Sequence, residues 1–320
     1  MDAEDLELFR TSLQAATGRH TGEALDAALD ELGWSEALAE DPRAAISVLF
    51  DLQGRAHATS SALDRVVATH LGLGDGSTTS VVLPKLGGYQ PPATGTDTLS
   101  IDGFALAGLA RAESALVVSG SPAGKLTVAV VGTADLTTRP VQGVDPQLGA
   151  LEVTGEGVAV RETTEVAPGA WADAVAVGQL ALAHELVGVS RTMLALAREH
   201  ALERVQFGVA ISTFQAVRHR LAEALIAIET ADSMATAAWD DPSALTASVA
   251  KSVAGRGART AARHCQQVLA GIGFTTEHDF HLHLRRFLVL DQLLGSTQLL
   301  TRELGQQLLR DRAMPAILPL

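Results

Sequence analysis

Residues 204–219 read RVQFGVAISTFQAVRH, and they decide the fold because they place a tight turn between two helical patterns. A helical pattern ends at the start of this stretch, and Phe207-Gly208 supplies the turn, since glycine readily leaves helical geometry. From about Ser212 the apolar residues recur at helical spacing, so the sequence predicts a second helix. These apolar positions are Phe214, Val217, Leu221, Leu225 and Ile228.

The chain on either side changes character twice. Residues 1 to about 70 predict several short helices, one of them starting at Asp41-Pro42, where aspartate caps the first amides and proline fits the first turn. From Leu71 to Gly157 glycine, threonine, proline and β-branched residues alternate, with turns such as residues 121–124, which predicts a small β domain.

Beyond Pro168-Gly169 the chain is helical nearly to its end, with breaks at residues 240–242 and 271–273. The prediction is therefore an α+β multidomain fold. It has an N-terminal helical domain (1–80), a middle β domain (81–166) and a C-terminal helical bundle domain (167–320).

Composition narrows the classes of function. The formal net charge of −13 disfavours binding to nucleic acid or anionic lipid. The N-terminus is acidic where a secretory signal is basic, and no apolar run reaches the roughly 18 residues of a membrane helix, so we expect a cytoplasmic protein without a membrane partner. The single cysteine, Cys265, rules out an internal disulfide and fits a core residue in a reducing compartment.

The turn at 204–219, together with residues 266–274 (QQVLAGIGF), resembles the acyl-CoA dehydrogenase family. The resemblance implies that family's fold, whose last part is an antiparallel bundle of long helices. It also implies that Arg204, Gln206 and Phe207 reach the pyrophosphate and adenosine half of an FAD that a neighbouring subunit mainly holds. A guanidinium and an amide suit phosphate oxygens, and a ring suits the apolar face of the cofactor.

Further cofactor contacts follow from the same resemblance. Gln267 and Gly271 match the family's Gln-x-x-Gly-Gly-x-Gly segment, which binds the ribityl-pyrophosphate region, although Ala270 replaces the first glycine of the pair. Ser296 and Gln298 match positions that contact cofactor. The FAD-binding residues implied here are therefore Arg204, Gln206, Phe207, Gln267, Gly271, Ser296 and Gln298.

The catalytic base of the family is missing from this sequence. Dehydrogenation of an acyl-CoA needs a carboxylate to remove the α-proton, and Leu294 occupies the usual glutamate position. The family's alternative position lies on the first helix after the β domain. There Ala170 to Ala183 contains a single acid, Asp173, several residues from the matching place.

The loop that holds the flavin ring is also altered. The family's Thr-Glu-Pro-x-x-Gly-Ser-Asp matches residues 82–89, VLPKLGGY, in which the proline and one glycine survive and the four polar residues do not. The chain therefore resembles a short, degenerate subunit that donates FAD contacts in trans and has no catalytic residue of its own.

The resemblance implies a longer catalytic homologue as partner, in an α2β2 heterotetramer of the actinobacterial type that oxidises steroid side-chain CoA thioesters. It also suggests that the lost site leaves room for a bulky acyl group. Two alternatives remain open. The chain could be a self-sufficient flavoprotein of the same fold, or an assembly scaffold that touches no cofactor.

Two further motifs carry little weight. His278, His281 and His283 do not share one helical face, so no metal site is predicted. Residues 72–76 (GLGDG) lack the spacing of a dinucleotide fingerprint and predict a turn.

Overall fold

The computed structural model describes residues 3–73, 80–120, 125–143 and 145–312. Short helices come first in the chain: α1 (Ala3–Arg19), α2 (Glu23–Glu31), α3 (Trp34–Glu40), α4 (Pro42–Ala56) and α5 (Ala62–His70). The predicted start of α4 is confirmed, since the Asp41 carboxylate accepts the Ala44 N–H at 3.0 Å and Pro42 occupies the first turn.

A mixed sheet follows the helices, with eight strands within the described residues. They are β1 (Ser80–Pro84), β2 (Ala93–Gly95), β3 (Thr98–Ala105), β4 (Ser114–Gly120), β5 (Leu126–Gly132), β6 (Thr137–Pro140), β7 (Leu151–Ala159) and β8 (Glu162–Glu165). The order is β6-β7-β3-β1-β4-β5-β8, and β2 pairs with β3 and β4. The turns predicted at 121–124 and across 72–76 lie wholly or partly outside the described residues.

The sheet is buried on both faces, as its strand patterns require. Successive side chains of a strand point to opposite faces. On β1, Val81 and Leu83 join the large core shared with the helices, whereas Val82 joins a separate core of the β region. Strand β4 alternates in the same way, and both faces of the sheet are therefore apolar at its centre.

Long helices form the rest of the chain. They are α6 (Ala170–Glu203), α7 (Gln215–Ala237), α8 (Ala244–Leu269), α9 (Phe280–Leu290) and α10 (Thr297–Asp311). By length and composition α6 could span a membrane, but 72% of its most apolar 18-residue window is buried inside the protein. It is the central core helix, packed against α4, α5, α7, α8 and α9.

Helices α4 and α6 cross at backbone contact. A Cβ on Gly188 would lie 2.1 Å from the Asp51 carbonyl oxygen, and one on Gly54 would lie 2.3 Å from the Glu185 carbonyl oxygen. No side chain fits at either glycine without moving a backbone, so these two residues fix how the first helices dock on the bundle.

A fully buried arginine joins three parts of the chain. Arg286 on α9 places Nε 2.5 Å from Asp145 of the β region and donates from Nη1 to the Ala58 carbonyl oxygen at 2.7 Å and to Glu185 of α6 at 3.2 Å. Burial would raise the pKa of Asp145, but His57 and Arg286 outweigh it and hold that pKa at about 2. The carboxylate therefore stays charged and ties the sheet to the bundle.

The predicted apolar stripe of α7 is only partly buried. Ile228 is in the core, but Leu225 and Ile226 are exposed, and Phe214 precedes the helix as its N-cap. The buried face consists otherwise of alanines (Ala224, Ala231 and Ala235). These small residues let α8 approach closely, so a Cβ on Gly257 would lie 2.9 Å from the Ala227 carbonyl oxygen. Leu225 and Ile226 face outward, whereas Val217 and Leu221 pack partly against the core.

The helix, strand, helix order confirms the predicted α+β class. The transitions fall between His70 and Ser80 and between Glu165 and Ala170. The borders at 80/81 and 166/167 lie at or beside these transitions, and as domain boundaries they stay predictions.

Candidate functional site

The predicted turn is a small β-hairpin that projects from the end of α6. Its strands are β9 (Val205–Gln206) and β10 (Val209–Ala210), paired antiparallel. Phe207 and Gly208 have φ of 52° and 81°, and a two-residue hairpin of type I′ needs positive φ at both positions. A non-glycine residue rarely adopts this backbone region, and such strain clusters at functional sites.

Phe207 stands at the tip of this hairpin and is 93% exposed. Its ring makes an edge contact with Phe214 at a centroid distance of 6.2 Å. The neighbouring apolar residues Val205 and Val209 are exposed as well. A ring held out on a tight turn gains nothing from this chain's own core, so the geometry presents it to another molecule.

The polar residues predicted to bind cofactor are exposed around the same end of the bundle. Within the described part of the chain, the side chains of Arg204, Gln206 and Gln267 make no hydrogen bond or ion pair, so their donors are available. His200, one turn before the hairpin, contacts the ring of His278 at 6.4 Å. That contact brings the hairpin and the segment after α8 to one end of the molecule.

The segment after α8 is a 3₁₀ helix, Ala270–Phe274, at the predicted break. Ala270, which the resemblance places at a glycine position, has φ 52° and ψ −131°, a conformation that belongs to glycine. The backbone geometry of a glycine is thus present although the residue is alanine. A Cβ on Gly271 would meet no atom within 4 Å, so this backbone is open to close approach.

Leu294 occupies a very different environment from the exposed residues. It is 1% exposed with φ 52°, and its Cδ1 lies 2.5 Å from the place where a Cβ on Gly178 of α6 would stand. Gln179 of α6 donates from Nε2 to the Leu294 carbonyl oxygen at 2.8 Å. Leu294, at the predicted glutamate position, is therefore a packed core residue fitted against a glycine.

The loop at residues 82–89 docks directly on the segment around Leu294. The Gly87 N–H donates to the Gln292 carbonyl oxygen at 2.8 Å, and the Ser296 N–H donates to the Gly87 carbonyl oxygen at 3.2 Å. The Trp171 indole N–H donates to the Tyr89 carbonyl oxygen at 3.1 Å. These backbone groups are satisfied within the chain.

Ser296 has a structural role at this place, because its hydroxyl oxygen caps α10 by accepting the Leu299 N–H at 3.2 Å. Gln298 is exposed on the first turn of α10. Asp173 is exposed on the first turn of α6. An exposed carboxylate at a helix start has an ordinary stabilising role there, so Asp173 has no surroundings that suit a buried base.

Sequence reasoning missed a buried lysine beneath the Leu294 segment. Lys251 of α8 is fully buried and donates from Nζ to the carbonyl oxygens of Asp291 at 3.1 Å and Gly295 at 3.3 Å. Burial lowers the pKa of Lys251 to about 8, against the opposing charge of Asp291. The signal was present, because residue 251 falls in register with the core alanines 247, 254 and 258.

A small cavity lies beside Leu293 and α5. Its volume is about 30 Å³, room for about two water molecules. Asp64 lines it with one oxygen bonded to the Ser80 hydroxyl at 2.9 Å and the other without a hydrogen-bond partner among the described residues, and burial raises the pKa of this carboxyl to about 7. Leu294 fills its own position with a side chain packed into the core.

The structure also shows the surroundings of His283 and Cys265, two residues considered in the sequence analysis. His283 is buried against the ring of His57 at 5.4 Å, and the described residues contain no group of three or more His, Cys, Asp or Glu that could hold a metal. Cys265 is buried in the core, as predicted, and burial raises its thiol pKa to about 12, which makes it unreactive.

Comparison with known proteins shows which family the chain is similar to. The sequence profile of the acyl-CoA dehydrogenase C-terminal domain matches residues 171–309, which hold the hairpin, the 3₁₀ segment and Leu294. Acyl-CoA dehydrogenase IpdE2 of Mycobacterium tuberculosis is 29% identical over 95% of this chain and 97% of its own length. Residues 171–309 thus match an acyl-CoA dehydrogenase C-terminal domain, and nearly the whole chain is similar to an acyl-CoA dehydrogenase.

Solved structures give the same acyl-CoA dehydrogenase fold. A variant of the Tcur3481-Tcur3483 steroid ACAD matches with a TM-score of 0.82 at 23% identity, covering 97% of this chain and 99% of the other. The ChsE4-ChsE5 complex from Mycobacterium tuberculosis matches with a TM-score of 0.78 at 22% identity, over 99% of this chain and 100% of the other. The acyl-CoA dehydrogenases are flavin-linked oxidoreductases, and this chain shares their full-length architecture.

Proposed function

We propose that this chain is the non-catalytic subunit of a heteromeric acyl-CoA dehydrogenase. The observation that carries the proposal is the burial of Leu294 at the glutamate position. A leucine packed against Gly178 can neither take a proton nor move aside for a substrate without opening the core. The base for α-proton removal would come from a longer homologous subunit.

The fit to FAD differs between the two halves of the cofactor. Arg204, Gln206 and Gln267 offer unused donors, and Phe207 and the open backbone at Gly271 offer contact surface, which suits the phosphates and the adenosine. The segment 82–89 that would hold the flavin ring lacks the family's four polar residues, and the Gly87 backbone groups bond to Gln292 and Ser296 of this chain. We therefore propose that FAD is held mainly by the partner and is completed by this chain in trans.

In the proposed complex each group of this chain has a limited task. Arg204 would orient the pyrophosphate, Gln206 and Gln267 would donate to its oxygens or to the ribityl chain, and Phe207 would exclude water from the adenosine half. When bound, the flavin accepts the hydride that leaves the β-carbon of the acyl thioester. Ser296, whose hydroxyl oxygen caps α10, would still have its O–H to donate to the cofactor, and the exposed Gln298 would offer its amide.

The partner and substrate class are also proposals. The two structural relatives are paired proteins by name, and one of them is a steroid ACAD, so we propose an α2β2 heterotetramer that oxidises a steroid side-chain CoA thioester in the cytoplasm. The exposed apolar residues of the hairpin and α7 supply a surface for such a partner.

The test compares two arginines, Arg198 on α6 and Arg204 directly after the end of α6. Arg204→Ala in the co-expressed complex is expected to lower flavin per complex at least tenfold at limiting FAD, whereas Arg198→Ala, an exposed arginine two turns earlier, leaves it unchanged. Equal flavin content in both variants would favour the scaffold alternative.

A further inference from the structure

The middle of α7 carries two large apolar side chains on its outer side. The helix runs from Gln215 to Ala237, and Leu225 and Ile226 lie at its centre. They are 47% and 66% exposed, because the core side of the helix is occupied by alanines and Ile228. About half or more of each residue stays in contact with water. A second molecule can therefore bury apolar surface at this place.

These two residues belong to a continuous face of α7. Arg218, Ala222, Leu225 and Glu229 recur at helical spacing along one side of the helix, and each of them is exposed. Ile226 lies directly beside Leu225. The small side chain of Ala222 lets a neighbouring helix come close. We call these five residues the α7 face.

The charges of α7 are divided between its two halves. Arg218, His219 and Arg220 lie before the centre, whereas Glu229 and Asp232 lie beyond it, and residues 221–237 contain no basic residue. The first turn has no acidic residue and the last turn has no basic one. The helix dipole favours the opposite arrangement, so this distribution of charge does not serve the helix itself.

An antiparallel helix with the same sequence complements this distribution. If a two-fold axis passes beside Leu225 and Ile226, each residue lies opposite the one that is equally far from the centre. Leu225 then meets Ile226 of the second copy, and Ala222 meets Glu229 of the second copy. Arg218 lies one turn, about 6 Å along the axis, from that same Glu229, within reach of its long side chain. A parallel pair would instead bring Arg218 beside Arg218. The α7 face is thus self-complementary only in the antiparallel direction.

Both charged residues of the α7 face are available for such a contact. Arg218 donates from Nε to the Ser212 carbonyl oxygen at 2.7 Å and has no carboxylate partner in the described part of the chain. The side chain of Glu229 is 56% exposed, and its Oε1 lies 4.0 Å from Nη2 of Arg191. That same Nη2 has a closer partner in Asp232, at 2.7 Å. The Arg218 guanidinium can therefore pair with Glu229 of another copy without breaking a strong ion pair.

The size of the contact sets its strength. The 23 residues of α7 span about 34 Å, and a strip about 10 Å wide would bury roughly 350 Å² on each copy, or about 700 Å² in total. Stable complexes bury about 1,200 Å² or more. We therefore expect a weak dimer, with a dissociation constant in the micromolar range.

We propose that the α7 face binds the α7 face of a second copy of this chain, antiparallel about a two-fold axis beside Leu225 and Ile226. These two residues form the apolar centre of the contact, and Arg218 of each copy pairs with Glu229 of the other. The inference does not depend on the proposed function. In the proposed α2β2 complex, this contact would join the two like subunits.

Sedimentation of the full chain at about 5 to about 500 µM tests the apolar centre. We expect the unchanged chain to dimerise and Ile226→Asp to raise the dissociation constant about tenfold or more. Leu309→Asp is the control, since Leu309 is 80% exposed on α10 and lies outside the α7 face. Circular dichroism checks that both variants are folded. A chain that is monomeric throughout this range, or a dimer that Ile226→Asp leaves unchanged, would overturn the proposal.

Reversed charges test which residues meet across the two-fold axis. Arg218→Glu and Glu229→Arg should each weaken the dimer about fivefold, because each places like charges together twice. An equal mixture of the two variants should regain the unchanged affinity, since both contacts then join opposite charges. A role within one chain cannot produce this recovery. No recovery on mixing would contradict the proposed pairing. Weakened association only with a longer homologue would assign the α7 face to that subunit instead, and the proposal would be wrong.

Discussion

Replacing Phe207 by alanine should weaken assembly with the partner subunit and leave the stability of the isolated chain nearly unchanged. With about 200 Å² of side-chain surface in a phenylalanine and 93% of the residue exposed, nearly all of it can be buried by a partner and cofactor. At about 25 cal/mol per Å² this is an upper bound of about 5 kcal/mol, and truncated interface aromatics commonly cost 2 to 4 kcal/mol. We therefore expect Phe207→Ala to weaken association or flavin binding by about 3 kcal/mol, roughly a hundredfold.

The same substitution should hardly change the stability of the isolated fold, because Phe207 contacts little besides the edge of Phe214. Association with the longer subunit is measured by sedimentation, flavin by absorbance, and unfolding by circular dichroism. Leu309→Ala serves as the control, since Leu309 is also exposed but lies on α10. The reasoning fails if Phe207→Ala leaves both association and flavin unchanged, or if it unfolds the chain as strongly as a core truncation.

Three further predictions concern the remaining geometry, and their stability changes are measured by thermal unfolding. Ala270→Gly removes an alanine with positive φ and should raise the free energy of unfolding by about 1 kcal/mol. The control Ala222→Gly, on the exposed side of α7, should lower the free energy of unfolding by about 1 kcal/mol. A lower stability in both variants would contradict the strain at Ala270. Leu294→Glu places a carboxyl group in the core and should lower the free energy of unfolding by about 3 kcal/mol. We expect no dehydrogenase activity from this variant alone, and activity of the isolated variant would refute this. Burial raises the pKa of Asp64 from 3.8 to about 7, so the native protein should lose stability as the pH rises between those values. Asp64→Asn should therefore be more stable than the unchanged protein by up to about 4 kcal/mol near pH 8, and this difference should close toward pH 4. A difference in stability that is the same at both pH values would contradict this.

Local signals in the sequence were reliable where one residue decides the structure. Asp41-Pro42 starts a helix and Phe207-Gly208 makes a turn, because a cap and a positive φ depend on the residues themselves. The strands of the hairpin are two residues each, too short for any alternation to be recognised. The sequence therefore predicted the turn but not the two short strands on either side of it.

Packing between distant elements was less predictable. The outward Leu225 and Ile226 on α7 depend on the close approach of α8 through alanines and glycine, which a single helical pattern does not contain. The pairing of Arg286 with Asp145 joins residues 141 positions apart. Lys251 could have been noticed from its core register, but its carbonyl partners belong to another part of the chain.

The resemblance located the altered positions but could not tell how they are filled. A leucine at the glutamate position could have left an open pocket or a closed one. The fit of Leu294 against Gly178 and the cavity of about 30 Å³ favour the closed arrangement. The expectation that a lost site leaves room for a bulky acyl group stays a prediction.

The most direct test of the central claim is the flavin content of the purified chain, alone and after co-expression with a longer dehydrogenase homologue. Our account predicts no stoichiometric flavin in the chain alone and about one flavin per pair of unlike chains in the complex. One flavin per chain in the isolated protein would contradict the account and make the chain an independent flavoprotein.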